Sequence, residues 1–353
     1  MSEILPRGVA TVAQLADFDA VIDARSPGEF AEDRLPGAIS MPVLDDEQRA
    51  RVGTLYKQVS AFEAKKLGAA LVSKNIARHI ESHLLDKPRS WRPLVYCWRG
   101  GQRSGAFTHI LREIGWDAHR IQGGYKNWRQ HVIEQLALLP SRLKFRVVTG
   151  ATGSGKSRLL EALSTQGAQV LHLEEIAVHK GSVLGNLPGQ PQPAQKGFES
   201  QLLAALSALD PTRPVFVEAE SRKIGRLQLP DQLLEAIRGA PGLRIEAPLR
   251  ARVDFLLCDY DYAVADPAWL VERLGHLKGL QSNETLARWS AMIATRDFPN
   301  LVEELLTQHY DPLYQRSQTS NYNSFDAATR YATDRLDPAA VGKLAAEILA
   351  TSA

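Results

Sequence analysis

The chain has 353 residues, 44% of them hydrophobic and 23% charged; that is more than one hydrophobic core usually organises, and it carries too much apolar material for a disordered polymer. A formal net charge of +2 does not announce a nucleic-acid binder, although local basic patches remain open, and two cysteines, Cys97 and Cys258, exclude a disulfide framework and suit a reducing compartment. The opening MSEILPRGVATVAQLADF lacks the basic and apolar segments of a secretory leader, and no run of about 18 apolar residues occurs, so the expectation is a cytoplasmic protein that does not enter a membrane.

Short apolar runs alternate with helical stretches along the first part: VIDA at 21–24, AISM at 38–41, LVYC at 94–97 and HRIQ at 119–122. This predicts a small α/β domain with a parallel sheet. Val52, Leu55, Val59 and Phe62, then Ile76, Ile80 and Leu84, recur at three- and four-residue steps and predict one or two amphipathic helices over about 50–85. A helix is expected over 127–138, and Pro140 and Ser141 then break it before the apolar run FRVVT begins at 145.

The second part opens strand, glycine-rich turn, helix, with further strands predicted at QVLHL (169–173), PVFVE (214–218) and RIEA (244–247). GNLPGQPQPAQ at 185–195 has the composition of an exposed, mobile loop. From about 250 onward the pattern is helical with few strand signals. The expected organisation is an α/β domain over 1–138, a linker over 139–144, and a second α/β domain with a helical C-terminal part over 145–353.

Cys97 closes the strand PLVY and opens CWRGGQRS, which runs into the helical stretch SGAFTHILREIGW. Backbone N–H groups, the helix N-terminus and the guanidinium groups of Arg99 and Arg103 would all favour thiolate over thiol, so Cys97 is a candidate nucleophile. The alternative is a small hydrophobe ending a buried strand. Cys258, in DFLLCDYDY, has acidic neighbours and is read as a packing residue.

Gly150–Ser157 reads GATGSGKS, which is glycine, four residues, then Gly-Lys-Ser, between an apolar strand and the helical SRLLEALST. Gly150, Gly153 and Gly155 let the backbone turn so that the amides, Ser154's included, point into one cavity, and the helix N-terminus adds partial positive charge. Lys156 would reach a terminal phosphate, and the Ser157 hydroxyl would hold Mg2+. Glu218 ends PVFV where a metal-binding carboxylate sits in P-loop folds, and Glu174 and Glu175 end another run; a solvated loop residue is the alternative at each.

The first 135 residues resemble a rhodanese domain through DARSPGEF at 23–30, LPGAISMP at 35–42, CWRGGQRS and GGYKNW at 123–128. A rhodanese domain ahead of a P-loop NTPase-like domain resembles the tRNA 2-selenouridine synthases. The segment 52–77 is similar to that family's helical insertion, as are HKGSVLG at 179–185, FES at 198–200, EAESRKIG at 218–225 and HYDPLYQRS at 309–317. The family tends to carry an acidic residue where His172 stands and Arg where Lys180 stands; a lysine keeps the charge but not the two-pronged contact.

The resemblance implies that Cys97 carries a persulfide or selenium adduct, that the loop amides with Arg99 and Arg103 hold an anionic donor, and that Asp23 and Arg25 form an internal ion pair. It further implies replacement of the sulfur of wobble 2-thiouridine in tRNA by selenium from selenophosphate, with S-geranylation from geranyl diphosphate. The diphosphate would lie on the 153–157 backbone, Lys156 and Ser157, with Arg222 and Lys223 as further phosphate contacts and Arg238, Arg244, Arg250 and Arg252 as tRNA contacts. No tightly bound organic cofactor is implied. An ATP-dependent rhodanese-type sulfurtransferase is the alternative enzyme, and a redox-sensing pair of binding modules the alternative of another class.

Overall fold

The computed structural model describes residues 6–321 and 327–351, and groups them into two compact units. The first comprises the chain to Gln135 together with Ala194–Ala204; the second comprises Leu136–Pro193 and Ala205 onward. The sequence reading placed all of 145–353 in the second domain, whereas residues 194–204 group with the first unit.

Five strands build the first unit's sheet: β1 Val9–Ala10, β2 Ala20–Asp23, β3 Ala38–Ser40, β4 Pro93–Tyr96 and β5 His119–Ile121. They are all parallel, in the order β1-β5-β4-β2-β3. The chain thus winds to one side of β4 and then to the other, which leaves a crevice beyond the carboxyl end of β4. Ile22, Val95, Phe107, Leu111 and Trp116 centre its core. The predicted insertion is two helices, Asp46–Gln58 and Ala61–His83, each begun by a side-chain cap: Asp45 accepts from Gln48 N at 2.7 Å and Ser60 from Glu63 N at 3.3 Å. Asn75 holds the pair to the sheet layer by donating to Val43 O at 3.0 Å and to Gln48 Oε1 at 2.8 Å.

The second unit carries β6 Lys144–Gly150, β7 Gln169–Leu171, β8 Pro214–Glu218, β9 Lys223–Ile224, β10 Leu227–Gln228, β11 Gly242–Glu246 and β12 Thr329–Ala332. Five of them form a parallel sheet ordered β12-β11-β6-β8-β7, while β9 and β10 make a small antiparallel ribbon. Its first strand, β6, lies between β8 and β11, again the position where strand order reverses. β12 falls within the stretch expected to be helical. The C-terminal helices add a separate core around Trp289, Leu270, Leu274, Phe298 and Leu301. Trp289 is fully buried, and its indole N–H donates to Glu304 Oε2 at 2.9 Å, so the one polar atom of that side chain is satisfied.

The 185–195 segment is pinned, contrary to expectation. Gln192 Nε2 donates to Ala177 O at 3.1 Å and to Ile224 O at 3.0 Å, and Arg226 N donates to Gln192 Oε1 at 2.9 Å. One amide side chain closes these backbone bonds, and only 188–191 stay exposed.

Candidate active site

In the first unit, β4 delivers Cys97 to the crevice at its carboxyl end. Cys97 is buried, and its Sγ lies 3.1 Å from the hydroxyl of Ser104, in the first turn of the helix Gln102–Ile114. That helix begins at Gly101 with no side-chain cap, so its first amides are left to serve an anion. The glycines of GGYKNW close the other side: Tyr125 N donates to Cys97 O at 2.8 Å and Lys126 N to Trp98 O at 2.9 Å. Gly124, at φ 60°, is required there, because a Cβ would overlap Cys97 O and Gly100 N.

The two arginines of the loop differ. Arg99 is exposed, whereas Arg103 Nη1 donates to Glu29 Oε2 at 2.8 Å. Burial pushes the Glu29 carboxyl up, but the bonds and charge of Arg103, with Ser26, outweigh it and hold the group at about 2. Arg103 therefore braces the loop, and of the two arginines only Arg99 is exposed.

The expected internal ion pair is present: Arg25 grips Asp23 with Nε at 3.0 Å and Nη2 at 2.6 Å, while Tyr96 Oη donates to Asp23 Oδ2 at 2.6 Å. In the same unit, Trp128 Nε1 donates to Ser200 Oγ at 3.3 Å, and Arg129 pairs with Glu199 and, at 3.5 Å, with Asp33. GGYKNW and FES, seventy-odd residues apart, are thereby one packed cluster; sequence reasoning noted both stretches and had no local signal that they meet.

In the second unit, the loop after β6 curls over the N-terminus of the helix Lys156–Thr165, with Gly153 at φ 78° and Gly155 at φ 76°. A Cβ on Gly153 would stand 2.8 Å from Leu256 Cδ1. Lys156 Nζ donates to Gly150 O at 2.8 Å, and Ser157 Oγ donates to Glu174 Oε2 at 3.1 Å. Tyr314 accepts from Gly150 N at 2.7 Å through its hydroxyl. Arg252 donates to Thr152 O at 2.9 Å and forks onto Asp311 at 2.6 and 3.1 Å, which ties the loop to the helical part of HYDPLYQRS.

Three carboxyl groups gather beside the lysine. Glu218 Oε1 accepts from Glu174 N at 2.9 Å, and its Oε2 is buried without a partner among the described residues. Burial and then the charge of Glu174 push Glu218 up to about 7, and burial followed by Glu174 and Glu218 pushes Glu220 up as well. Burial pushes the Lys156 ammonium down, against the pull of Glu174 and Glu220. Because folding raises the Glu218 pKa, its protonated form is favoured in the folded state: the stabilisation is complete below about pH 4.5 and is lost as pH rises to about 7. Glu218→Gln is therefore expected to match the wild type in thermal stability near pH 4.5 and to exceed it by up to about 3 kcal/mol above pH 7, read by calorimetry across that range.

Lys156, Glu174 and Glu220, but not Glu218, border a cleft of about 600 Å³ that also receives Lys180, Tyr260, His309 and Tyr310. Lys180 Nζ donates to Asp259 Oδ2 at 2.5 Å. His309 and Tyr310 sit on a π-helical turn, Leu306–Tyr310, of the sort that often marks functional sites. Gln281 donates to His309 Nδ1 at 3.2 Å, which assigns the ring proton to Nε2; that nitrogen is buried and has no partner among the described residues. Burial holds His309 below its ordinary pKa.

Residues 9–131 match the rhodanese-like domain family, and residues 143–285 match the family described as the tRNA 2-selenouridine synthase AAA domain. The tRNA 2-selenouridine synthase of Nitrosomonas europaea is 40% identical over 244 residues, 68% of this chain and 63% of its own length. The alignment thus spans less than two thirds of that relative. The tRNA 2-selenouridine synthase of Alcanivorax borkumensis is 33% identical over 326 residues, 83% of this chain and 88% of the relative. The chain belongs to the tRNA 2-selenouridine synthase family. A third family member, from Aeromonas salmonicida, is 33% identical over 323 residues, 83% of this chain and 86% of its own.

Not every residue named from sequence reaches the loop. Arg222 is exposed and paired with Asp231 at 2.6 Å, and Lys223 is exposed on β9; neither borders the cleft, because the chain turns away into the ribbon after Ser221. Glu174 lies in the site while Glu175 is exposed. Ser154 borders a second cavity, with Arg244 and Gln315. Cys258 is exposed rather than packed. Arg252, expected on a tRNA-facing surface, is buried against the phosphate loop, while Arg250 is exposed and paired with Asp254 at 3.1 Å. Arg252→Met is expected to weaken binding of inorganic diphosphate about tenfold without any loss of a direct phosphate contact, since a freed Asp311 and Thr152 O no longer fix the loop; isothermal calorimetry checks it.

Proposed function

We propose that the chain is a tRNA-modifying transferase that replaces the sulfur of wobble 2-thiouridine by selenium, drawing on selenophosphate and geranyl diphosphate. The observation that carries this reading is the 150–157 cradle, with Lys156 over the loop carbonyls, in a chain that also brings Cys97 to the carboxyl end of a parallel strand. Family membership supplies the direction, since the relatives are named for 2-selenouridine synthesis in tRNA.

In the first step the sulfur of 2-thiouridine forms a bond to C1 of the geranyl group as the C1–O bond breaks and diphosphate departs. The protein's part is to orient the diphosphate and to compensate charge on the leaving oxygens through the 153–157 amides and Lys156. His309 Nε2–H is a further donor on the same cleft. In the second step the selenium of selenophosphate forms a bond to C2 as C2–S breaks and geranylthiol leaves, and water then cleaves the P–Se bond, releasing inorganic phosphate and 2-selenouridine. The amides at the start of Gln102–Ile114 and the exposed Arg99 would hold the anionic donor beside Cys97. No organic cofactor enters either step.

Of the two residues expected to hold Mg2+, Ser157 borders the cleft and bonds Glu174 whereas Glu218 does not border it, and among the described residues no group of three or more His, Cys, Asp or Glu side chains is placed to hold a metal ion, so no step is assigned to one. Among the described residues no helix is long and apolar enough to cross a membrane.

Mass analysis of nucleosides from 2-thiouridine-containing tRNA, incubated with the protein, geranyl diphosphate and selenophosphate, tests the reading. 2-Selenouridine, with a geranylated intermediate when selenophosphate is withheld, is the expected product. Unchanged tRNA together with ATP hydrolysis would replace it by the ATP-dependent sulfurtransferase.

A further inference from the structure

The whole chain carries a net charge of only +2, yet the helical hairpin of the first unit, Asp46–Gln58 and Ala61–His83, holds seven Lys and Arg against four Asp and Glu. Two of those acids, Asp46 and Glu47, lie in the first turn of the first helix, where they complement the helix dipole. Between residues 48 and 80 a single carboxylate remains, Glu63, and it pairs with Lys66 at 2.7 Å. Arg51, Lys57, Lys65, Lys74 and Arg78 are exposed and have no ion-pair partner among the described residues. Phe62, Lys66, Ala70, Lys74 and Arg78 follow at four-residue steps, all exposed, so they line one ridge of the second helix. At the turn between the helices Tyr56, Val59 and Phe62 are exposed by 56, 73 and 67%. The second helix packs on the sheet layer through Ile76, Val72 and Ile80, so that packing does not account for two aromatic rings left in water.

We propose that this hairpin is the arm on which the anticodon stem-loop of the tRNA docks, its cations following the phosphates while Tyr56 and Phe62 stack on unpaired bases. The inference rests on the tRNA reading given above. Ridge positions about 6 Å apart along the helix, without an intervening carboxylate, suit a polyanion, and exposed aromatic rings beside such cations are the means by which proteins hold the unstacked bases of RNA loops. A second copy of the chain is disfavoured, because in a two-fold contact the same cations would meet. The root of the hairpin directs the RNA towards the cysteine. Arg49, in the first turn of the first helix, lies 3.8 Å from Glu29, the carboxylate to which Arg103 of the cysteine loop donates at 2.8 Å, and Gly28 N donates to Asp46 Oδ2 at 2.9 Å. From Arg49 to the turn is about 14 Å along the helix, so a stem-loop held on the arm has its loop within reach of the Cys97 crevice.

With the full chain, affinities for a tRNA carrying wobble 2-thiouridine and for its isolated anticodon stem-loop would be measured by fluorescence anisotropy between about 50 and 200 mM salt. The wild type is compared with a triple variant, Lys65→Gln, Lys74→Gln and Arg78→Gln, and a double variant, Tyr56→Ala and Phe62→Ala. All five side chains are exposed, and glutamine matches lysine and arginine in helix propensity, so the fold is expected to survive. The triple variant should lose about tenfold or more in affinity for both RNAs, and the slope of log affinity against log salt should fall by about two. The double variant should lose about fivefold or more with the slope unchanged. Both should bind inorganic diphosphate within about twofold of the wild type, and both should raise KM for tRNA while leaving kcat in place.

Variants that bind both RNAs as the wild type does overturn the arm while the tRNA reading stands. A loss seen with the whole tRNA and not with the stem-loop overturns it too, because the contact then lies elsewhere on the tRNA. If RNA binding is unchanged but the variants lose binding to phosphatidylserine-containing vesicles, or sediment at a different mass from the wild type, the hairpin serves a membrane surface or a second copy and the inference fails. A wild type that binds no tRNA overturns the inference together with the reading beneath it.

Discussion

Lys156→Ala is expected to lose formation of the geranylated nucleoside by about a thousandfold or more, and selenouridine with it. The loss exceeds that of one hydrogen bond for an electrostatic reason. Lys156 is the cation set among Glu174, Glu218 and Glu220, and its charge opposes theirs. Without it, a diphosphate approaching the cradle meets carboxyl groups that the ammonium no longer balances, and the leaving oxygens lose their nearest compensating charge. Removing one donor from an oxyanion site costs about a hundredfold to a thousandfold in turnover, and repulsion adds to that. Single-turnover assays with saturating tRNA, together with calorimetric titration of inorganic diphosphate, measure both parts. A variant within tenfold of the wild type in the first step would remove the cradle from the chemistry.

Cys97→Ser should behave in the opposite way, leaving the first step within about twofold and stalling at the geranylated nucleoside, with selenouridine down by about a thousandfold. The substitution is nearly isosteric at a buried site, and Ser104 Oγ, 3.1 Å away, can bond a hydroxyl as it does the sulfur, so the fold is expected to survive. What disappears is the sulfur nucleophile beside the helix-terminal amides, since a serine hydroxyl is a far weaker nucleophile. Because Cys258 is exposed, thiol-labelling controls belong in a Cys258→Ala background. Normal selenouridine from Cys97→Ser would confine Cys97 to packing.

Both motifs were legible because each is local: eight consecutive residues define the cradle, eight define the cysteine loop, and the strand and helix that position them adjoin in sequence. The central strands were legible too, since β4 and β8 are buried on both faces and read as unbroken apolar runs. Edge strands were not. β1 has two residues, and β12 buries only Tyr331, so neither leaves an alternating pattern. The partners of the cradle were hidden for a different reason. Arg252 and Asp311 lie 59 residues apart, and Glu174 meets Glu218 only because β7 and β8 pair. Basic residues were the least reliable signal: Arg103, Arg222 and Arg252 all suggested anion contacts, and each is joined to a carboxylate. Composition counts charges, whereas only the fold tells which are already matched.

The excursion of residues 194–204 into the first unit bears on how the molecule comes into being. A ribosome releases the chain in order from the N-terminus, yet Trp128 and Arg129 find Ser200 and Glu199 only after the cradle and two strands of the second unit have been made. Until residue 204 emerges, the nascent rhodanese-like unit carries an unfilled seam beside the helix Gly124–Leu138. Its maturation therefore waits on the synthesis of the phosphate-binding part, and a gene cut at the apparent boundary near 138 would deliver neither product whole.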